Sequence, residues 1–352
     1  MRAFVFDEVG GPITCREVPE LVCPADGVLV DVRATGVCRS DWHAWRGHDP
    51  VALPHTPGHE FAGVVAAVGE RVVGHQVGAR VTAPFVQGCG ACAYCESGNA
   101  QVCPHQAQPG FTFAGSFAQQ VVVHQADLNL VPLPDEIDFV TAASLGCRFA
   151  TAFHALTRQG ELQPGEWLAV YGCGGVGLSA IMIAKALGAR VVAVDRAEPA
   201  LARAAEVGAD VVLRSGTAEQ VKDVTEGGAH VSLDAVGSPA TSSSAIHSLR
   251  RRGRHVQVGL MLLDNATAPL PWDIVIAWEL TVAGSHGMAA AAYPEMLALI
   301  TSGKLDPKRL VGEVISFDAL GSALMAMDQP VLGSGGLTVA AIGEPAPAVH
   351  PQ

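Results

Sequence analysis

Four cysteines within fifteen residues offer the most specific chemistry in the chain. Cys89, Cys92 and Cys95 are each separated by two residues, and Cys103 follows after seven more. Four thiolates on a glycine-rich loop can close a tetrahedron around zinc and leave no coordination position for substrate, so we predict a structural zinc site. An iron–sulfur cluster also takes four cysteines, but this spacing matches neither common ferredoxin pattern. Four free thiols are the remaining alternative.

A glycine-rich hexapeptide indicates a second kind of chemistry, the binding of a dinucleotide. Residues 172–177 read Gly-Cys-Gly-Gly-Val-Gly and stand between an apolar run and an amphipathic segment. In a strand–turn–helix unit the first glycine makes the tight turn, the second admits a pyrophosphate, and the third lets helix and strand pack closely. An ordinary structural turn is the alternative. The residues predicted to bind the cofactor here are Gly172, Gly174, Gly175, Val176 and Gly177.

Asp195 predicts which dinucleotide is bound. It ends the next apolar run, 23 residues after Gly172, where a carboxylate can bond both ribose hydroxyls and repel a 2′-phosphate. This favours NAD over NADP. Arg196 could accommodate such a phosphate, but we expect it to lie over the adenine face. The alternative is that Asp195 is an ordinary surface residue.

A third set of possible metal ligands is scattered along the sequence. Cys38 lies in Gly-Val-Cys-Arg-Ser-Asp, His59 and Glu60 lie in Pro-Gly-His-Glu, and Cys147 begins Cys-Arg-Phe-Ala-Thr. Taken singly these residues are weak evidence, because a free cysteine is usually a small buried apolar residue. Only a fold that brings them together would make a site.

The elements that must position these residues change character along the chain. Residues up to about 124 contain short valine-rich runs separated by glycine and proline, which predicts an irregular β-rich domain. From about residue 165, strands and helices alternate, which predicts a parallel sheet covered by helices on both faces. The predicted strands are 167–171, 190–195, 210–214, 230–235 and 254–259, and the predicted helices are 176–187, 199–207 and 239–251.

The last sixty residues are predicted to return to the first domain. A helix at 293–302 precedes a β-like return at 310–317, followed by segments 320–327 and 337–342. The final residues, 343–352, are rich in proline and alanine and are expected to be extended or frayed. We therefore divide the chain into a catalytic domain, 1–148 completed by 288–352, and a cofactor domain, 149–287.

Taken together in their order and separations, these motifs resemble those of the zinc-dependent medium-chain alcohol dehydrogenases. The resemblance runs over nearly the whole chain. It implies an α/β fold with a GroES-like β-rich catalytic domain and a Rossmann domain, whose doubly wound parallel sheet binds NAD. It also implies two zinc ions per chain, and reversible hydride transfer between NAD and a primary or secondary alcohol, giving an aldehyde or ketone.

The resemblance also assigns roles to individual residues. Cys38, His59 and Cys147 become the ligands of a catalytic zinc ion, with Glu60 close behind the metal. Asp41 becomes the carboxylate that orients the ligand histidine through its free ring nitrogen. A cysteine rather than a glutamate at position 147 favours simple alcohols over polyols.

Other residues are assigned to the proton path, the cofactor and the substrate. Ser40 and His43 correspond to the family's proton relay, Arg39 to a pyrophosphate contact, and Thr151 to a neighbour of the nicotinamide. Phe85 corresponds to a substrate-pocket residue. We name Trp42 and Trp45 as further pocket candidates, with plain core packing as the alternative for all three aromatic residues.

Two positions depart from the family pattern. Many relatives carry Gly-Arg near the carboxyl terminus, where a second cation meets the pyrophosphate, but this chain has Gly335-Gly336-Leu337-Thr338. That contact is expected to be missing. Arg148 is a bulky cation directly after a proposed zinc ligand, and the sequence gives no account of it.

Composition limits the partners. Acidic residues exceed basic residues by 34 − 22 = 12, and the Lys and Arg residues are scattered, so a nucleic acid is not expected. The longest uncharged stretch, 167–184, holds four glycines, so we expect no membrane association. Residues 1–8 have no long apolar core and no cleavage-like site, so we expect a cytoplasmic protein. In that reducing compartment, the nine cysteines are expected to be metal ligands or thiols rather than disulfides. We expect a homo-oligomer, a tetramer before a dimer, that pairs edge strands through 280–285.

Two other functions remain open from the sequence. One is a polyol, amino-alcohol or formaldehyde-type dehydrogenase of the same superfamily. The other is a non-catalytic NAD-binding redox sensor, which the intact Cys38, His59, Cys147, Ser40 and His43 argue against.

Overall fold

A computed structural model describes residues 1–329 and 336–343 of the chain. The amino-terminal part is built around β-strands with short helices at their ends. The strands are β1 (Arg2–Val5), β2 (Thr14–Glu17), β3 (Val28–Val37), β4 (Phe61–Val68), β5 (Arg80–Thr82), β6 (Gln120–Val123) and β7 (Val131–Pro132). The helices are α1 (Arg39–Trp45), α2 (Ala93–Glu96), α3 (Ala126–Asn129), α4 (Phe139–Ala143) and α5 (Ala150–His154), and single π-helical turns at Leu145–Phe149 and Ala155–Gln159 flank α5.

The remaining described elements alternate between strand and helix before returning to the first sheet. The middle part contains β8 (Trp167–Tyr171), α6 (Gly175–Ala186), β9 (Arg190–Asp195), α7 (Glu198–Glu206), β10 (Val211–Arg214), α8 (Ala218–Val224), β11 (Ala229–Asp234), α9 (Pro239–His247), β12 (Leu249–Gln257), α10 (Trp272–Ala277) and β13 (Thr281–Gly284). The last part contains α11 (Tyr293–Thr301), β14 (Val311–Ser316), α12 (Leu320–Met325) and β15 (Leu337–Ala341).

The first large sheet joins the two ends of the chain. Its strand order is β14-β15-β3-β4-β5-β7, and β6 pairs with β3. Strand β15 runs antiparallel to β3, with Thr338 opposite Val37, so the predicted return of the carboxyl-terminal part is confirmed. Alternate residues Val28, Val30 and Val32 of β3 are buried, because one face of this sheet covers an apolar core.

The second large sheet is parallel and six-stranded. Its order is β10-β9-β8-β11-β12-β13, and the direction of winding reverses between β8 and β11. Open sheets of this kind bind ligands at the carboxyl ends of the strands beside that reversal. The predicted combination of a β-rich domain and a doubly wound α/β domain is confirmed.

One predicted boundary in the parallel sheet is wrong. The helix expected to reach residue 251 ends at His247, and β12 begins at Leu249 rather than at Arg254. Leu249 is fully buried and pairs with Ala229, so its burial draws the arginine-rich segment behind it into the sheet. Helices α8 and α10 were not predicted. Gly335 and the expected extension at 344–352 lie outside the described residues.

One continuous apolar core links the two sheets. It runs from Ala34 of the first sheet through Phe149 and Phe153 around α5 to Leu168 and Val170 of the second. The segment around α5 therefore fixes how the parts meet, and the domain boundary that we predict at 148/149 falls inside the π-helical turn Leu145–Phe149. Within the described residues no helix has the length and apolar character needed to cross a membrane.

Candidate active site

The four clustered cysteines converge on one point. Their ligand atoms all lie within 4.8 Å of one another, and Cys92 Sγ lies 3.6 Å from Cys95 Sγ and 3.7 Å from Cys103 Sγ. A zinc ion with Zn–S bonds of about 2.3 Å sets sulfur atoms about 3.8 Å apart in a tetrahedron, so these residues fit zinc. The backbone N–H of Cys89 donates to Cys103 Sγ, as thiolates require. Hydrogen bonding from the Cys95 backbone lowers the pKa of Cys92 to about 7.

The scattered ligand candidates also meet. Cys38 directly follows β3, His59 lies two residues before β4, and Cys147 lies in the π-helical turn at Leu145–Phe149. One ligand atom from each, together with a Glu60 carboxylate oxygen, lies within 4.8 Å of the others. The fold thus assembles a set of two sulfur, one nitrogen and one oxygen donor from three separate segments.

The orientation of His59 indicates that this cluster is a metal site and not a chance result of side-chain packing. His59 Nδ1 donates to Asp41 Oδ1 over 2.9 Å, and both residues are fully buried. Asp41 is held in turn by the backbone N–H groups of Gly58 and Cys38. His59 Nε2 is left buried without a hydrogen-bond partner among the described residues. An orphaned acceptor beside two thiols is what a zinc ion satisfies.

One of the two thiols is shifted toward the thiolate form that a cation requires, whereas the hydrogen bond with Cys38 and burial raise the pKa of Cys147. A hydrogen bond from Cys147 lowers the pKa of the buried Cys38 thiol well below its usual value, and the Arg148 charge lowers it further. Glu60 is fully buried, and burial raises its pKa, while the adjoining Arg148 opposes that shift. The Glu60 carboxylate accepts hydrogen bonds from Arg148 rather than from solvent.

A cavity of about 450 Å³ opens over the metal cluster. It is lined both by Cys38, His59 and Cys147 and by the glycine-rich turn at Gly174 and Gly175. One cavity can therefore hold both a metal-bound substrate and a dinucleotide, which is the arrangement that hydride transfer requires. Other described residues that line it are Arg39, Ser40, His43, Asp49, Phe85, Gln108, Phe111, Arg148, Thr151, Val176, Ala235, Val236, Val258, Gly259, Leu260, Ser285, His286 and Gly287.

The predicted relay residues lie at this cavity. Ser40 Oγ is 3.8 Å from Cys38 Sγ, on the first turn of α1. His43 lies one turn later, half-buried, and its Nδ1 is 3.1 Å from His48 Nδ1. Burial lowers the pKa of His43, and the charges of His48 and Arg39 lower it further. His43 therefore stays neutral, and able to accept a proton, to a lower pH than a free histidine.

The glycine-rich turn has the geometry that its sequence predicts. Gly172 has φ +93°, a conformation that a side chain would strain, and a Cβ on Gly177 would overlap the Gly172 carbonyl oxygen. Asp195 ends β9 beside the turn, where its carboxylate accepts N–H hydrogen bonds from Cys173 (2.7 Å) and Ala197 (2.9 Å). Arg196 is exposed at the same edge.

The other residues assigned from the sequence divide into two groups. Arg39 and Thr151 line the cavity, and Arg39 donates to the Met327 carbonyl over 2.8 Å. The tryptophans do not line it. Trp45 is buried in the first domain and donates to the Gly11 carbonyl, and Trp42 donates to Asp328, so the expectation that they form the pocket is wrong.

Sequence reasoning missed two aromatic rings at the cavity. The Phe111 ring centroid is 5.3 Å from that of His59, and the His286 ring is 5.3 Å from that of Phe85. Phe111 follows Pro109-Gly110, a turn signal, but nothing local indicates where that turn lies. His286 follows the last parallel strand, β13, and a residue at the carboxyl end of a strand is a site candidate.

The comparisons with known proteins agree with this geometry. The family model described as alcohol dehydrogenase GroES-like domain matches residues 24–135, and that described as zinc-binding dehydrogenase matches residues 175–302. An alcohol dehydrogenase from Geobacillus stearothermophilus is 38% identical over 311 residues, which are 87% of this chain and 90% of the relative. A sorbitol dehydrogenase from Halalkalibacterium halodurans is 34% identical over 319 residues, which are 88% and 91% of the two chains.

A solved structure is similar over its full length. The alcohol dehydrogenase from Thermus sp. ATN1 has a TM-score of 0.89 at 32% identity, covering 97% of this chain and 100% of its own. Sequence, fold and the two metal-ligand clusters lead to one assignment. The chain belongs to the zinc-dependent medium-chain alcohol dehydrogenases and is an NAD-dependent oxidoreductase.

Proposed function

We propose that the enzyme interconverts alcohols that carry a flat apolar or aromatic group with their aldehydes. The single observation that carries this proposal is that Phe85 and Phe111 approach His59, whose orphaned Nε2 lies beside two cysteines in a cavity that the dinucleotide turn also lines. When bound, zinc supplies the Lewis acid that lowers the pKa of the alcohol hydroxyl, and NAD supplies the hydride acceptor.

The residues of the chain direct the proton and the ligands. Cys38, His59 and Cys147 would hold the catalytic zinc, and Asp41 keeps His59 in the tautomer that presents Nε2. Ser40 would accept the hydroxyl proton as it gives up its own, and His43 would receive that proton and release it to solvent. Arg39 and the turn at 172–177 would bind the cofactor pyrophosphate, Asp195 would bind the adenosine ribose, and Thr151 would contact the nicotinamide.

The aromatic walls support a preference for flat substrates. Phe85 and Phe111 both approach the His59 ring, with ring centroids 6.0 and 5.3 Å away. Two aromatic faces beside the metal bind a planar apolar group well and leave the hydroxyls of a polyol without partners.

The test is the initial rate of NADH formation with benzyl alcohol, ethanol and sorbitol on zinc-loaded enzyme. We expect benzyl alcohol to have the highest kcat/KM. Phe111→Ala should lower the kcat/KM for benzyl alcohol about tenfold relative to that for ethanol. Phe113→Ala should not, because the Phe113 ring makes an edge contact with His124 instead. Cys147→Ala should abolish turnover and remove one zinc ion, whereas Cys15→Ala should do neither. An equal effect of the two phenylalanine variants would contradict the assigned pocket.

Polyol oxidation is the second candidate, because a sorbitol dehydrogenase is 34% identical over most of the chain. A cysteine at position 147 and the aromatic walls favour simple alcohols instead. A kcat/KM for sorbitol that exceeds that for benzyl alcohol would establish the second candidate and reject the first.

We also propose a cytoplasmic homo-oligomer. The nine cysteines form no disulfide, and six of them lie in metal-ligand clusters, which suits a reducing compartment. Strand β13 is an edge of the parallel sheet and leaves one side free for a second copy.

A further inference from the structure

Arg148 lies between the metal-ligand cluster and the dinucleotide turn. It follows Cys147 directly, lines the same cavity as Gly174 and Gly175, and is only 8% exposed. A buried cation is costly unless other groups compensate its charge, so its partners indicate its purpose.

The first partner is Glu60. Glu60 Oε1 accepts hydrogen bonds from the Arg148 backbone N–H (3.1 Å) and from Nε (3.0 Å), and Oε2 accepts one from Nη2. Glu60 is fully buried, so the two charges offset each other away from water. Gly36 of β3 leaves room for the pair, because a Cβ there would lie 3.1 Å from Arg148 Nη2.

The second neighbour is the amino terminus of α6. A Cβ on Gly175 would lie 2.5 Å from Arg148 Cδ and 2.8 Å from Leu337 Cδ2, so the arginine stem packs directly across the first residue of this helix. Gly174 caps the helix without a side-chain hydrogen bond. Free N–H groups and the helix dipole give this end a positive potential.

The Arg148 guanidinium has hydrogen-bond donors that Glu60 does not use. Of its five N–H groups, two donate to Glu60 and three remain, and Nη1 has no acceptor in the described part of the chain. Free donors and a positive helix end that face one cavity favour a doubly charged anion there. The pyrophosphate of a dinucleotide is such an anion.

We propose that Arg148 binds the cofactor pyrophosphate with the guanidinium donors that its ion pair with Glu60 leaves free. This rests on the dinucleotide site of the proposed function. Leu337 stands where many relatives carry the arginine that meets the pyrophosphate. Arg148 supplies the positive charge instead, because its side chain and that of Leu337 both pack against Gly175.

The test is calorimetric binding of ADP-ribose, which contains the pyrophosphate but no nicotinamide, to the full-length enzyme. Arg148→Met should weaken ADP-ribose binding about 10–100-fold, the range for lost hydrogen bonds to a charged group. It should leave adenosine binding within about twofold. Arg148→Lys keeps the positive charge but lacks the paired donors of the guanidinium, so we expect it to weaken ADP-ribose binding less than Arg148→Met does. It replaces the Met variant in this test if that variant does not fold.

Glu60→Gln is the matched control, because it breaks the same ion pair from the other side. If Arg148 binds the pyrophosphate, Glu60→Gln should bind ADP-ribose at least as tightly as the wild type. Zinc content and melting temperature are measured on every variant. Equal losses in Arg148→Met and Glu60→Gln, or wild-type ADP-ribose affinity in both Arg148 variants, would reduce the pair to a structural role. Wild-type enzyme that binds no ADP-ribose would instead reject the proposed cofactor site itself.

Discussion

His48 is a neighbour of His43, the residue that we propose as the base of the proton path. It lies at hydrogen-bond distance from His43, and its charge is the second cause, after burial, of the lowered His43 pKa. Because neutral His43 is the form that accepts a proton, a lowered pKa extends alcohol oxidation to lower pH. Removing His48 should therefore raise the His43 pKa toward its ordinary value.

We predict that His48→Gln moves the acid limb of the pH profile of kcat/KM for alcohol oxidation to higher pH. His43→Gln should remove that limb and slow the reaction about 10–100-fold, the low range for a general base that solvent can replace. His75→Gln, in the loop between β4 and β5, is the control. An acid limb that stays in place in His48→Gln would contradict the coupling of the two histidines.

Single residues differ in how far the sequence alone can place them. Asp41 and His59 were paired through family motifs, and the structure brings them together over 2.9 Å. The Glu60–Arg148 pair joins residues 88 positions apart, and neither residue signals its partner locally. The sequence therefore identified Arg148 as unusual without explaining it, because the explanation lies in packing between the two sheets.

At the scale of elements, Gly174 and Gly177 in the turn between β8 and α6 differ in why a side chain is unfavourable there. A Cβ on Gly177 would overlap the Gly172 carbonyl oxygen and push α6 off the sheet. A Cβ on Gly174, whose φ is −79°, would meet no protein atom within 4 Å, but Gly174 lines the cavity. Packing therefore requires glycine at position 177, whereas at position 174 we propose that the absent side chain leaves room for the cofactor.

We predict that Gly177→Ala destabilises the protein by about 1–3 kcal/mol, the usual cost of overpacking a buried contact. Gly174→Ala should leave the melting temperature unchanged and weaken NAD binding about tenfold, because its methyl group occupies cofactor space. Thermal unfolding and NAD titration of both variants test this. A shared loss of stability, or intact NAD binding in Gly174→Ala, would show that the two positions are not distinct.

The first and last residues of an element were predicted correctly where an apolar run ends at polar residues or glycine. They were not where the sequence lacks such a change. Strands β8 and β9 have the predicted bounds, because buried runs end at glycine or charged residues on both sides. The sequence predicts residues 249–251 as the end of a helix and a strand only from residue 254, yet Leu249, Gly253 and His255 of β12 are buried. Pairing with β11, which no local signal indicates, overrides that pattern.

For the whole molecule, the sequence predicts the two kinds of domain and the return of the carboxyl-terminal part, and it predicts pairing with a second copy through 280–285. The structure adds a surface for it. On α10, Trp272 and Ile276 are 59% and 75% exposed, while Val275 between them is 9% exposed and faces the core. Three residues separate this helix from the edge strand β13. Exposed apolar side chains beside an unpaired strand edge favour pairing with a second copy.

We predict that Ile276→Glu converts the native oligomer into smaller species, because a charge at a symmetric contact is buried twice in each interface. Val73→Glu is the matched control, since Val73 is 90% exposed but lies in the loop between β4 and β5. Sedimentation velocity at micromolar concentration distinguishes the species. A monomeric wild type would show that α10 forms no contact between copies. An Ile276→Glu variant that keeps the wild-type mass would show that the contact between copies lies elsewhere. If the oligomer dissociates while zinc content and turnover persist, the active site is complete within one chain.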